Sequence, residues 1–134
     1  MLFRSACPEK TVICLTGDGS YMFSVPSSVH WIARRYQTPF LQIIYNNRGW
    51  KAPKSSTLAI HPDGYAARAA RRDEDIGVSF DPPPDYSGIA AASGGAFARI
   101  VRRPEELNPA LAEAMNAVRR ERRCAVVDVW LAHL

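Results

Sequence analysis

Short apolar runs alternate with amphipathic stretches along most of this chain. Thr11 to Thr16 (TVICLT), Phe40 to Tyr45 (FLQIIY), Phe97 to Val101 and Cys124 to Leu131 (CAVVDVWL) are brief, rich in β-branched or aromatic residues and bounded by turn formers. That is the pattern of buried strands. Between the first two runs, Val29, Ile32, Ala33 and Tyr36 recur at i, i+3, i+4 and i+7. This spacing predicts a helix with one apolar stripe on a sheet and with His30, Arg34 and Arg35 turned elsewhere. Ser24 is placed to cap that helix, Pro26 fits its first turn, and Thr38-Pro39 ends it. Tyr86 to Ser93 predicts a short Ala-rich helix closed by Gly94-Gly95. Asn108-Pro109 offer a cap and first turn for a last helix that buries Leu111, Ala114, Met115 and Val118.

The resulting order, β-α-β-loop-α-β-α-β, predicts an α/β fold: a parallel sheet with helices on both faces, in one domain over residues 1–134. The loop is the exception to the periodicity. From Gly49 to Asp85 the pattern dissolves into Lys, Pro, Ser, Gly and charge, with a short helical stretch near Ala66 to Arg72 and a stiff Pro82-Pro83-Pro84 tail. Loops of this length in small domains are usually functional or disordered. This one leaves a strand end that carries Asn46-Asn47, so it reads as the cover of a site.

Composition narrows the classes. The 134 residues carry a net charge of +4, from arginines that occur in scattered pairs and at the end of the last predicted helix, where cations complement the macrodipole. No aromatic residues alternate with them as a stacking platform requires, which argues against nucleic-acid binding. The longest apolar run falls well short of the ~18 residues of a membrane span. Met1 to Lys10 has no apolar core of a signal peptide, so a cytoplasmic setting is expected, with an organellar one left open. Cys7, Cys14 and Cys124 lack metal-type spacing. Cys14 and Cys124 fall on strands expected to be buried, which favours packing.

Two polar clusters stand at strand ends: Gly17-Asp18-Gly19-Ser20 after the first run, and Asn46-Asn47-Arg48-Gly49 after the second. Parallel strands joined by a helix bring their carboxyl ends to one edge of the sheet, where open α/β folds bind ligands. Glycine-opened backbone can approach a phosphate, and a carboxylate beside phosphates calls for a divalent cation between them. Asp18 and Asn47 can thus converge on one ion. Taken singly, each cluster is also an ordinary turn, and Gly49 an ordinary positive-φ position.

The pair resembles the motif of thiamine-diphosphate enzymes, GDG followed by a strand-helix-strand unit and then NN. The run GDGSYMFSVPSSVHWIARRYQTPFLQIIYNNRGW, the later DYSGIAAASGGAF and the closing AVVDVW are similar to the C-terminal domain of acetolactate synthase and benzoylformate decarboxylase relatives. The resemblance implies the thiamine-diphosphate-binding fold, with thiamine diphosphate and Mg2+ as cofactors. It implies that Asp18, the Asn47 side-chain oxygen and the Gly49 carbonyl hold the magnesium, and that Gly17, Gly19 and Ser20 face the diphosphate. The interval from Asp18 to Asn47 is slightly longer than the commonest family spacing, with the extra residues near Pro26 to Ser28.

Within such a family, catalysis needs a glutamate on a separate pyrimidine-binding domain, usually from a partner subunit. That domain is not recognisable in this sequence, and family-like sequence is expected to begin near Pro8. The chain therefore reads as an N-terminally truncated, incomplete diphosphate-binding domain of a 2-oxo acid decarboxylase or carboligase. It is expected to be inactive alone and to belong to a homo-oligomer at full length. Two alternatives are a non-catalytic remnant that associates with full-length relatives and an unrelated phosphate-binding α/β domain, the latter predicting Asp18 and Asn47 too far apart to share an ion. His61, in HPDG, is the catalytic candidate, a solvent-facing turn histidine being its plain alternative. Trp50 is placed either to line a pocket or simply to pack. His30 and His133 carry no functional expectation.

Overall fold

The computed structural model describes residues 2–69 and 76–132. Its elements are α1 (Leu2–Ala6), β1 (Ile13–Gly17), α2 (Asp18–Phe23), α3 (Pro26–Arg35), β2 (Leu41–Asn46), α4 (Lys51–Ile60), α5 (Tyr65–Ala69), α6 (Tyr86–Gly94), β3 (Phe97–Val101), α7 (Leu107–Arg119) and β4 (Ala125–Trp130). The strands form one parallel sheet in the order β1-β2-β4-β3. His133, and Ala70 to Arg72 of the expected helical stretch, lie outside the described residues.

Alternation along β2 and β4 sorts side chains to two cores. Ile44 and Val126 face Tyr21, Ala33, Tyr86 and Ala90 of α2, α3 and α6. Leu41, Ala125 and Val127 face Ala110, Ala114, Ala117 and Val118 of α7. Helices therefore cover both faces, as the α/β pattern requires. α6 ends in the left-handed Gly95, as its sequence predicted. Entry to α7 comes earlier than Asn108-Pro109: Pro104 opens a 3-10 turn, and the Glu106 carboxylate takes the Arg102 and Arg103 N–H groups at 2.9 and 3.2 Å. Asn108 therefore falls inside the first turn of α7, whose N-cap is Glu106.

Several expectations are corrected. Asp18–Phe23 is helical, and Ser24 closes this helix, its hydroxyl donating to the Tyr21 carbonyl at 2.8 Å. Val25, at φ +56°, then begins α3, so Ser24 does not cap it. α3 is also rotated from its predicted stripe: Pro26, His30 and Ala33 are buried and Tyr36 is exposed. His30 finds partners inside that no apolar scale records. Its ring stacks on Phe40 at 5.4 Å, and Nε2 meets the Tyr21 hydroxyl at 3.1 Å. Burial pushes the imidazole down to about 4, so it is neutral.

Lys51–Ile60 is a helix where irregular chain was expected. It buries no residue, and Pro53 falls in the first turn, where its missing N–H is harmless. Cys14 is exposed, against its expected burial, whereas Cys124 is buried. The cause is the edge position of β1. In register with Leu41 and Ile43, Ile13 and Leu15 face the α7 side, yet they remain 51% and 58% exposed.

Candidate functional site

β1 and β2 are adjacent and parallel, with Gly17 level with Tyr45, so both polar clusters leave the same edge of the sheet. There they meet. Asp18 opens α2 and is buried; its Oδ1 accepts the Gly19 N–H at 2.9 Å and its Oδ2 accepts the Gly49 N–H at 3.1 Å. The Asn47 side-chain oxygen accepts that same Gly49 N–H at 3.2 Å. One amide hydrogen thus lies between the Asp18 carboxylate and the Asn47 oxygen, which brings the two oxygen donors to a common point.

Electrostatics at this point favour a cation. Burial pushes the Asp18 carboxyl up, against the lowering influence of N–H groups from Gly19, Gly49 and Arg48. A buried carboxylate with neutral oxygen neighbours has no cationic partner among these contacts, and a divalent ion supplies one. One carboxylate with amide and carbonyl oxygens is an oxygen set suited to magnesium, which takes one or two carboxylates and completes its shell with phosphate and water. Among the described residues no group of three or more His, Cys, Asp or Glu side chains could hold a metal.

Asp18, Gly19, Ser20, Asn47, Gly49 and Trp50 line a hollow of about 160 Å³ that continues to the start of α4. Gly17 sits at the strand end, and a Cβ there meets nothing within 4 Å, which leaves open space above it. Over Gly19 the space is taken by the Trp50 ring, 2.8 Å from where a Cβ would lie. Trp50 also packs against Phe23 and Phe80, so it both lines the hollow and belongs to a cluster. Larger hollows of about 320 and 340 Å³ lie at the opposite ends of the strands, against Arg34, Arg122 and Arg123 and against Arg4 and Arg119.

The segment that leaves the site is tied back to it. Trp50 N–H donates to Val78 and Phe80 N–H to Arg48, each at 2.8 Å, so residues 48–50 and 78–80 clasp the base of the intervening excursion. α4 therefore starts at the hollow. His61 ends α4, exposed and outside the hollow, about 15 Å along the helix from Lys51 at 1.5 Å per residue.

Sequence reasoning placed Asn46 in the strand-end cluster without a role of its own and missed Asp128. Asn46 is fully buried and donates from Nδ2 to Asp128 Oδ2 at 3.3 Å, beneath the turn that carries Asn47. Burial pushes Asp128 up to about 6, while the Asn46 hydrogen bond opposes the rise. Its one signal was a lone acid in the middle of an apolar run, CAVVDVWL.

No helix among the described residues is long and apolar enough to cross a membrane. Over 126 residues the chain is 32% identical to the acetolactate synthase isozyme 3 large subunit of Escherichia coli strain K12, matching 94% of this chain and 20% of that protein. It is 24% identical, also over 126 residues, to sulfoacetaldehyde acetyltransferase of Castellaniella defragrans, with 94% and 19% covered. The chain spans about a fifth of the length of these relatives. Its fold matches the Rhodococcus jostii RHA1 thiamine diphosphate-dependent 4-hydroxybenzoylformate decarboxylase with a TM-score of 0.73 and 22% identity, over 96% of this chain and 21% of that one. A model of the thiamine pyrophosphate enzyme C-terminal TPP-binding domain matches residues 2–129, so the family sequence begins at Leu2 and not near Pro8. A parallel α/β sheet with both polar clusters at one edge, and a family match over nearly the whole chain, place this protein among the C-terminal TPP-binding domains of thiamine pyrophosphate enzymes.

Proposed function

We propose that this chain is the diphosphate- and magnesium-binding half of an acetolactate synthase-like decarboxylase or carboligase acting on 2-oxo acids. In this reading Asp18, the Asn47 side-chain oxygen and the Gly49 carbonyl hold Mg2+, and Gly17, Gly19 and Ser20 face the diphosphate. The observation that carries it is the shared Gly49 N–H, 3.1 Å from Asp18 and 3.2 Å from Asn47. The donor chemistry fits, because a single buried carboxylate neutralises part of the ion's charge and leaves the rest for the phosphates. When bound, thiamine diphosphate supplies a nucleophilic carbon and an electron sink for a 2-oxo acid. The chain's own part is to anchor the anionic tail, exclude water beneath Trp50 and hold the cofactor against the edge of the sheet.

Full activity in this proposal needs a pyrimidine-binding domain, from another chain or segment, within a homo-oligomer. Alone, the 134 residues bind the cofactor weakly and turn nothing over. Calorimetric titration of the purified chain with thiamine diphosphate, with and without MgCl2, tests this. Magnesium-dependent heat that disappears in Asp18→Ala supports the reading; binding indifferent to both magnesium and Asp18 sinks it.

A second reading, non-catalytic association with full-length relatives, has its own support in exposed apolar side chains. Ile13, Leu15, Phe23, Val25, Trp31 and Tyr36 are each more than half exposed. Size-exclusion chromatography separates the two readings: co-elution with a full-length relative without gain of activity favours the second.

A further inference from the structure

We propose that Asp128 is a positioning residue for the turn Asn46 to Gly49: its carboxylate decides which way the buried Asn46 amide points, and that orientation shapes the strand end that offers Asn47 and Gly49 to Asp18. Its consequence for magnesium rests on the function proposed above, whereas the control of the turn stands without it.

Asn46 closes β2 with its carbonyl and both ends of its side-chain amide committed. Its carbonyl accepts the Leu131 N–H at 2.8 Å, Nδ2 donates to Asp128 Oδ2 at 3.3 Å, and Oδ1 accepts the Arg48 N–H at 3.2 Å. The two ends of an amide are nearly the same shape, so partners decide its orientation. An ionised carboxylate only accepts. The NH2 end must therefore face Asp128, which leaves Oδ1 for Arg48. A flipped amide would set oxygen against oxygen at the buried Asp128 end and donor against donor at the Arg48 end.

The Arg48 N–H bond matters because Arg48 has φ +63°, a left-handed conformation that a non-glycine residue holds at a cost. Once the chain has turned there, the next amide, that of Gly49, reaches Asp18 Oδ2 and Asn47 Oδ1. The path is continuous: Asp128, Asn46, Arg48, Gly49, Asp18. Asp128 itself is 1% exposed and does not line the hollow, so it acts through Asn46. Its neighbours along β4 are apolar, and a leucine would suit the strand as well. What a leucine cannot do is orient an amide.

Hydrogen exchange on the 15N-labelled chain tests this, with the Ile44 amide of β2 reporting global stability. In Asp128→Leu, exchange at the Arg48 and Gly49 amides is expected to rise about tenfold relative to Ile44. In Asp128→Asn, whose side-chain oxygen can still accept from Asn46, it stays within about threefold of the unaltered chain. Should Asp128→Leu fail to fold, Asn46→Ala removes the same acceptor for Arg48 and is expected to match it. Unchanged Arg48 and Gly49 exchange in the leucine variant, or in Asn46→Ala if that is the one that folds, overturns the proposal. So does Asp128→Asn as loose as Asp128→Leu. Magnesium and thiamine diphosphate added to the same samples report on the cofactor reading separately: no cofactor-dependent shift, with the exchange pattern as expected, sinks that reading and leaves the turn assignment standing.

Discussion

The Asp18 carboxylate and the Gly49 amide, 31 positions apart in the chain, are hydrogen-bonded at 3.1 Å. This contact joins the two polar clusters and exists because β1 and β2 are neighbours in one parallel register. Asp18→Ala removes the carboxylate proposed to hold the cation and leaves the Gly49 N–H to Asn47 alone. Magnesium-dependent affinity for thiamine diphosphate is expected to fall about 100-fold or more, with stability changed by about 1 kcal/mol or less. Calorimetry and urea unfolding on the same samples check both figures.

Gly17 and Gly94 should respond oppositely to alanine. A Cβ on Gly94 would lie 2.5 Å from the His30 carbonyl, where α6 and α3 approach closely, and the overpacking is expected to cost about 1–3 kcal/mol in urea unfolding. A Cβ on Gly17 meets nothing, and its φ of −78° suits alanine. Gly17→Ala should therefore leave stability within about 0.5 kcal/mol while weakening cofactor binding by intrusion on the diphosphate.

His30 makes the fold sensitive to acid. Its imidazole sits at about 4 in the folded chain and near 6.5 when unfolded, so between these values the unfolded chain binds the extra proton. Stability from this group is intact above pH 6.5 and is lost progressively as pH falls toward 4, by about 3 kcal/mol in all. Asp128 works the other way: its carboxyl, raised to about 6, favours the folded state at low pH and loses that contribution as pH rises through 6. The His30 share is therefore read as the difference from His30→Gln. The gap in unfolding free energy between the two proteins should narrow from pH 7 to pH 4; a constant gap refutes the assignment.

Leu15→Lys places a charge on the bare face of β1. Because the side chain is already 58% exposed, the free chain should keep its stability within about 0.5 kcal/mol. Any association through this face, with itself or with a full-length relative, should weaken by about tenfold in analytical ultracentrifugation. Unaltered association would direct attention to Phe23 and Trp31.

Strands and turn residues were the parts most open to reading. β1, β2, β3 and β4 follow from short runs with turn formers on either side, and α6 from alanines ended by Gly94-Gly95. α4 escaped because its Lys, Pro and Ser residues read as irregular chain, and none of its residues is buried in the core. α3 was found but rotated, since the scale that ranks histidine as polar has no entry for a Tyr21 hydroxyl and a Phe40 ring waiting inside. Asp128 was passed over because a carboxylate within a strand gains meaning only from the amide opposite it.

By itself the sequence determined a parallel α/β domain with GDG and NN at two strand ends, because apolar period and turn chemistry are local properties of contiguous residues. Only the tertiary structure decided that Gly49 lies between Asp18 and Asn47, that His30 is neutral in the core, that β1 is an edge, and that Asp128 sits under the Asn46 turn. These depend on which strands pair and in what register, and such relations arise from distant segments closing on one another rather than from any window of the chain.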